Sequence, residues 1–376
     1  QTEGQRLLTC IPAMLLCYWC FGYGAWLCLA LMLAAGIIAH HQKLSALLAV
    51  GILLLPATQY PATTWWSKPD LDREYVLSLD VEHYFGNIQK MRKHLETDRQ
   101  ILWVTYYRNL YNATHPSEIN SPVSLSRNLL AWNQPGTNGL ILPVNPSASF
   151  LSILFANELW FTLGDMTMAE HCAMLSMIFS PRNSGSRMIK RLAEINLVNG
   201  DDEAALKYLR ILDKTLLHKS WAEKRIPGQQ TPRVKEWLEK KRRDIPTQDQ
   251  LRSGNDAVTS LRNLVASNAG NLRAYEYLLC YHLLSKDLRS FVEDYVPGKV
   301  SSPIFAEALL IHLARQGNIR AEELIKYQIP VEIAKEFADY TRLYEAKDTS
   351  LKEKYGKTYW FYYHFATTEP GKESKP

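Results

Sequence analysis

Residues able to do chemistry are sparse in this 376-residue chain and stand in few informative patterns. Asp80, Glu82 and His83 form one acid/His group, and Glu170, His171 and Cys172 form another. Metal ligands on a helix need a spacing of three or four residues, because adjacent residues point in different directions. Asp80 and His83 meet that spacing but bring no third ligand, so both groups are read as polar helix faces. Cys17 and Cys20 spell CxxC inside an apolar stretch, where thiols act as small hydrophobes rather than as thiolates. The chain contains no HExxH, Walker A loop, GxGxxG or GxSxG pattern. No residue is therefore assigned a catalytic, cofactor-binding or metal role, and no cofactor is expected.

Three further features carry a functional and a structural reading each. Lys240-Lys241-Arg242-Arg243 could meet anionic lipid or nucleic acid. Glu236, Glu239 and Asp244 interleave with it, so it is read as a solvated helix end and nucleic acid is not expected as a partner. Asn112-Ala113-Thr114 spells a glycosylation acceptor, which has meaning only in a eukaryotic secretory context. From Tyr355 to Phe365 seven aromatics fall in eleven residues. That segment could stack a ligand or lie at a membrane interface, and it is read instead as an element closing the apolar end of the fold.

The elements that would position these residues divide sharply by charge. The chain averages 47% hydrophobic and 22% charged residues, yet residues 1–66 carry only Glu3, Arg6 and Lys43. The remaining 310 positions hold 41 basic and 37 acidic side chains, a nearly balanced polar domain. Apolar runs cover residues 7–39 and 44–58. Roughly 20 apolar residues span a bilayer core, so residues 1–66 are predicted to form two transmembrane helices, or three if residues 7–16 belong to an earlier one. A signal peptide has one shorter apolar region and a cleavage site. Because apolar sequence begins within six residues of Gln1, the chain is expected to be the C-terminal part of a longer polytopic protein. The lipid bilayer is thus an expected partner.

Beyond Trp66 the apolar spacing is helical throughout, which predicts an all-α fold. Residues 67–147 are read as a helical region ending in a Pro/Gly-rich loop, with helices at 70–84, 88–95 and 101–111 and a short one at 124–132. Residues 148–346 read as helix pairs: 149–163 with 166–178, 186–198 with 203–217, 272–284 with 288–295, 303–315 with 319–327, then 331–346. Gly164 matches Gly200 at a period of 36, and Ala169 matches Ala205, each five residues past its glycine. That period lies near the roughly 34-residue tetratricopeptide repeat. The expectation is a tetratricopeptide-like solenoid, with an aromatic cap at 347–367 and a disordered tail at 368–376.

Several stretches resemble a known family. They are Arg191–Leu209, Leu212–Ala222, the Gln134–Leu140 loop, Ala274–Leu279 and the terminal Tyr355-Gly-Lys-Thr-Tyr-Trp-Phe-Tyr-Tyr363. Together they are similar to an uncharacterised family of multispanning membrane proteins from Bacteroides-type Gram-negative bacteria, with a C-terminal helical-repeat domain. The resemblance implies a bacterial cell-envelope protein of the inner membrane and supplies no catalytic residue. Two functions follow as expectations. The first is a membrane-anchored scaffold that binds another envelope protein or peptide, with its soluble part in the periplasm. The second is a soluble appendage of a polytopic glycosyl- or lipid-linked-sugar transferase whose catalytic spans lie upstream. A binding role is favoured over an enzymatic one.

Overall fold

The computed structural model describes residues 68–97, 101–114, 137, 139–142, 144, 150–179, 185–248 and 256–366. The predicted membrane spans, the CxxC pair, the short helix at 124–132 and the tail at 368–376 lie outside them. Among the described residues every regular element is a helix, and no helix is long and apolar enough to cross a membrane. The chain divides into two compact units, residues 1–78 and 79–376. Of the first, residues 68–78 are described, and they open helix α1 (Lys68–Tyr84).

In the second unit, α2 (Ile88–Leu95) packs on α3 (Leu102–Thr114), which meets α4 (Phe150–Leu163). Then α4 pairs with α5 (Met166–Phe179), α5 with α6 (Ser186–Asn199), and α6 with α7 (Asp202–Asp213). Short α8 (Lys219–Glu223) lies on α7, and α9 (Pro232–Arg242) returns to α6. The order resumes with α10 (Ala257–Ser267), on which α11 (Leu272–Leu284) packs, followed by α12 (Leu288–Asp294) on α11 and α13 (Pro303–Arg315) on α12. After α14 (Ala321–Lys326), α13 receives both α15 (Val331–Glu345) and α17 (Tyr359–Phe365), with α16 (Leu351–Tyr355) between them. Nearly every partnership joins near neighbours in sequence.

The turns explain this regularity. Gly164 and Gly200 both adopt the left-handed conformation (φ 91° and 80°) that favours glycine. The residue after each, Asp165 and Asp201, bonds back across the turn to Trp160 O (3.0 Å) and Asn196 O (2.9 Å). The same aspartates then start the next helix, accepting from Met168 N (2.8 Å) and Ala204 N (2.9 Å). Lys286-Asp287 and Gly317-Asn318 repeat the left-handed residue and the back-bond, to His282 O (2.9 Å) and Leu313 O (3.0 Å). In the first three of these turns one dipeptide ends a helix and begins its partner. Ala169 and Ala205 are fully buried where the paired helices approach closely.

Two predicted elements differ. The helix expected over 203–217 stops at Asp213, because Thr215 turns its hydroxyl onto Leu212 O (2.7 Å) and accepts from His218 N (3.2 Å). Part of the stretch expected as loop is interior: Leu140 and Leu142 are buried. Gly139 O accepts from Asn109 Nδ2 (3.0 Å) and Leu140 O from Tyr277 OH (2.5 Å).

Candidate functional site

Helix α4 (FLSILFANELWFTL) is apolar on every side and nearly all buried, yet it carries Glu158. A carboxylate removed from water must find cations or it will not stay ionised. Glu158 finds two on one face of α6. Arg187 Nη2 lies 2.9 Å from Glu158 Oε1, and Arg191 Nη2 lies 2.5 Å from Oε2. The spacing of four residues between the arginines puts both guanidiniums toward α4. His83 Nε2 stands 3.5 Å from Oε2.

The network continues in both directions. Arg187 also holds Asp80 with two bonds, Nη1 to Oδ2 at 2.5 Å and Nη2 to Oδ1 at 2.8 Å, the fork geometry that makes arginine selective for carboxylates. Tyr107 OH donates to Asp80 Oδ1 at 2.5 Å. Arg191 Nη1 reaches Glu194 Oε2 at 3.0 Å. Opposite charges thus alternate from Glu194 through Arg191, Glu158 and Arg187 to Asp80, joining α6, α4 and α1. Burial pushes the Glu158 carboxyl up, but Arg191 and Arg187 overcome it and hold the group well below the usual carboxylate range. Burial, then Asp80, drives the Tyr107 phenol well above its ordinary value.

Another tyrosine places the acid. Tyr106 OH donates to Phe155 O and accepts from Leu159 N (3.2 Å), so one hydroxyl serves both ends of the helical rung beside Glu158.

Beside the network lies a cavity of about 220 Å³. Arg187, Lys190 and Arg191 supply three cations to its lining, against the carboxylates of Glu158 and Glu194. Its apolar walls are Tyr84, Phe161 and Trp237, the last two stacked at 6.3 Å. Both carboxylates are committed to arginines. Lys190 is not committed: its ammonium sits over the Tyr84 ring at 4.4 Å and the Trp221 ring at 5.1 Å, and bonds the Tyr84 hydroxyl at 3.3 Å. The Nε groups of Arg187 and Arg191 are buried without a partner among the described residues. Among the described residues Lys190 is thus the cation of this lining whose contacts are aromatic rather than carboxylate. Ammonium and guanidinium groups are the donors that carboxylate or phosphate oxygens accept from most strongly, and aromatic walls add contact area. Glu158, held ionised, is not a general acid.

Of the sequence candidates, Asp80 and His83 both enter this network, whereas Glu82 does not. Both Asp80 oxygens are taken by Arg187 and Tyr107, which is an ion-pair role rather than metal ligation. Among the described residues no cluster of His, Cys, Asp and Glu could hold a metal ion. Glu170 is half-buried, His171 exposed and Cys172 buried, so the second group does not converge. Asn112 lies buried within α3, out of reach of a modifying enzyme. The basic run on α9 divides: Lys240 and Arg243 face solvent, while Arg242 donates to Leu197 O (2.8 Å) and Val198 O (3.0 Å) at the end of α6. Lys241 reaches Phe161 O at 3.3 Å. Burial, with Arg273 and Arg191 nearby, lowers the Lys241 ammonium to about 8.

Glu158, Arg187, Lys190 and Arg191 were not singled out by spacing. The available signal was a lone acid in an otherwise apolar helix, which demands a distant cation.

The model of a family described as a family of unknown function (DUF6057) matches residues 46–366. No curated protein and no solved structure matches the chain.

Proposed function

Since the chain belongs to this family of unknown function, which passes on no activity, we propose a function from the cleft itself: a helical-repeat binding protein that receives an acidic group of a protein partner. The observation that carries the reading is Lys190, an ammonium poised between two aromatic rings at the edge of a cavity whose only carboxylates are already paired. The consecutive packing of helices and the matched glycine turns support a tetratricopeptide-like solenoid as its frame. The uncharged runs at 7–39 and 44–58 support a membrane anchor; that the membrane is a bacterial inner membrane with this domain in the periplasm is part of the proposal and follows the family resemblance. Leu140 and Leu142 fill part of the interior, so the partner is read by the cleft rather than by an open groove there.

The test is crosslinking and pull-down of the whole protein from its native membrane. Lys190→Arg should retain the partner, and Lys190→Glu should reduce recovery roughly tenfold or more, since a like charge now faces the ligand. Equal recovery with Lys190→Glu, or no partner with the natural residue, would sink the proposal.

A further inference from the structure

The two most exposed large apolar side chains of the described residues are adjacent in the chain. Leu216 is 97% exposed and Leu217 is 85% exposed, in the turn between α7 and α8. Helix α5 packs on α6 and α6 on α7, and only six residues separate the end of α5 from the start of α6, so the end of α5, the start of α6 and the end of α7 lie toward one side of that layer. His218 confirms the closeness of two of them, with Nε2 3.3 Å from Ser186 Oγ. At that same side stand Ile178 and Phe179, exposed by 63% and 50%, and half-exposed Ile211. Single exposed apolar residues need no explanation, but a contiguous group does.

The leucines are not on a slack loop. Thr215 holds the turn through Leu212 O and His218 N, and Lys219 N bonds Thr215 O at 3.2 Å. The turn thus presents two leucines outward. Around them Arg210, Lys214, Lys219 and Lys224 supply four exposed cations against the carboxylates of Asp213 and Glu223. Lysine is depleted in protein interfaces relative to the rest of a protein surface. Leucines inside a ring of lysine and arginine instead match the boundary of a bilayer, with acyl chains below and phosphates at the level of the cations.

We propose that this side of the domain is a membrane-docking surface, in which Leu216 and Leu217 enter the acyl region of an anionic lipid layer while Lys214 and Lys219 meet headgroup phosphates. It is independent of the acidic-partner cleft, and it adds a second lipid contact to the anchor proposed for residues 1–66.

The test places the whole chain with vesicles of phosphatidylcholine and phosphatidylglycerol carrying a photoreactive phosphatidylglycerol. After irradiation, flotation and tryptic digestion, the labelled peptides are mapped. The peptide 215–219, released by cleavage after Lys214 and Lys219, should carry the lipid. Leu216→Ser with Leu217→Ser should lower its labelling roughly tenfold, and these exposed positions leave the fold intact. Vesicles of phosphatidylcholine alone, with a photoreactive phosphatidylcholine, should lower it as well. A floated chain with 215–219 unlabelled would overturn this inference alone. Crosslinks from this peptide to a second copy of the chain would overturn it too and assign the surface to self-association. Failure of the chain to float would overturn both this inference and the anchor.

Discussion

Glu158 shows how one buried charge organises its surroundings. Two arginines, a histidine and, through Arg187, an aspartate exist where they do because a carboxylate in an apolar helix cannot stand alone. Glu158→Met should cost about 3–5 kcal/mol, measured by denaturant unfolding, because both guanidiniums lose their shared partner. Adding Arg187→Met and Asp80→Asn should recover part of that loss, whereas a sum of independent costs would contradict the network. Glu307 on α13 makes the opposite case, since no cation answers its burial. Burial, with Glu336 adding to it, pushes its carboxyl up to about 7 although Tyr359 N–H donates to it at 2.5 Å. Its folded value lies above its unfolded one, so the stabilisation is complete in acid and disappears as pH rises through about 7. Stability should therefore fall by about 3 kcal/mol between roughly pH 4.5 and 7 from this group. Glu307→Gln should flatten that part of the profile.

At the level of helices, the turns were legible and the helix ends were not. Gly164-Asp165 and Gly200-Asp201 stand in the sequence as stop-and-start signals between apolar stretches of helical spacing, and the structure forms helices on both sides of each. The two glycines are nonetheless unequal. A methyl group on Gly200 would meet open space, whereas on Gly164 it would lie 2.2 Å from Asp244 O. Gly200→Ala should cost only the left-handed strain, about 1–2 kcal/mol, and Gly164→Ala clearly more, as thermal unfolding would show. No sequence pattern announces the polar groups that close the helix ends, because they come from far along the chain. Asn271 Nδ2 donates to Leu163 O and Asp244 O, both at 2.7 Å, while its Oδ1 accepts from Ala274 N at 3.0 Å. Arg273 Nη1 reaches Thr162 O at 3.1 Å. Asn271→Ala strands two buried partners and a half-buried carbonyl and should cost about 3 kcal/mol; a change below 1 kcal/mol would show that water replaces the side chain. Glu158, by contrast, stands in the sequence as a lone acid in an apolar stretch, but its partners lie 29 and 33 positions away, beyond any local pattern.

Across the whole second unit, local helix pairing is fastened by a few long connections, and the aromatic C-terminal segment is one of them. Tyr359 OH donates to Leu283 O (2.8 Å) and Tyr362 OH to Leu284 O (2.9 Å), closing the end of α11, while Trp360 Nε1 donates to Glu307 O (3.0 Å). A chain ending at Gly356 loses these donors and three buried aromatic side chains. Its melting temperature should fall by more than roughly 10 °C, and an unchanged transition would show that α17 is an accessory. The sequence flagged this segment by composition alone; which carbonyls it satisfies follows only from the packing. The bond from Asn271 to Leu163 has a consequence of another kind, in time rather than energy. It joins positions 108 residues apart, and a ribosome adds on the order of 5–20 residues per second. The α4–α5 hairpin therefore emerges and waits on the order of ten seconds before the side chain that completes its end is made. Through that interval the Leu163 carbonyl lacks the donor that it has in the folded chain.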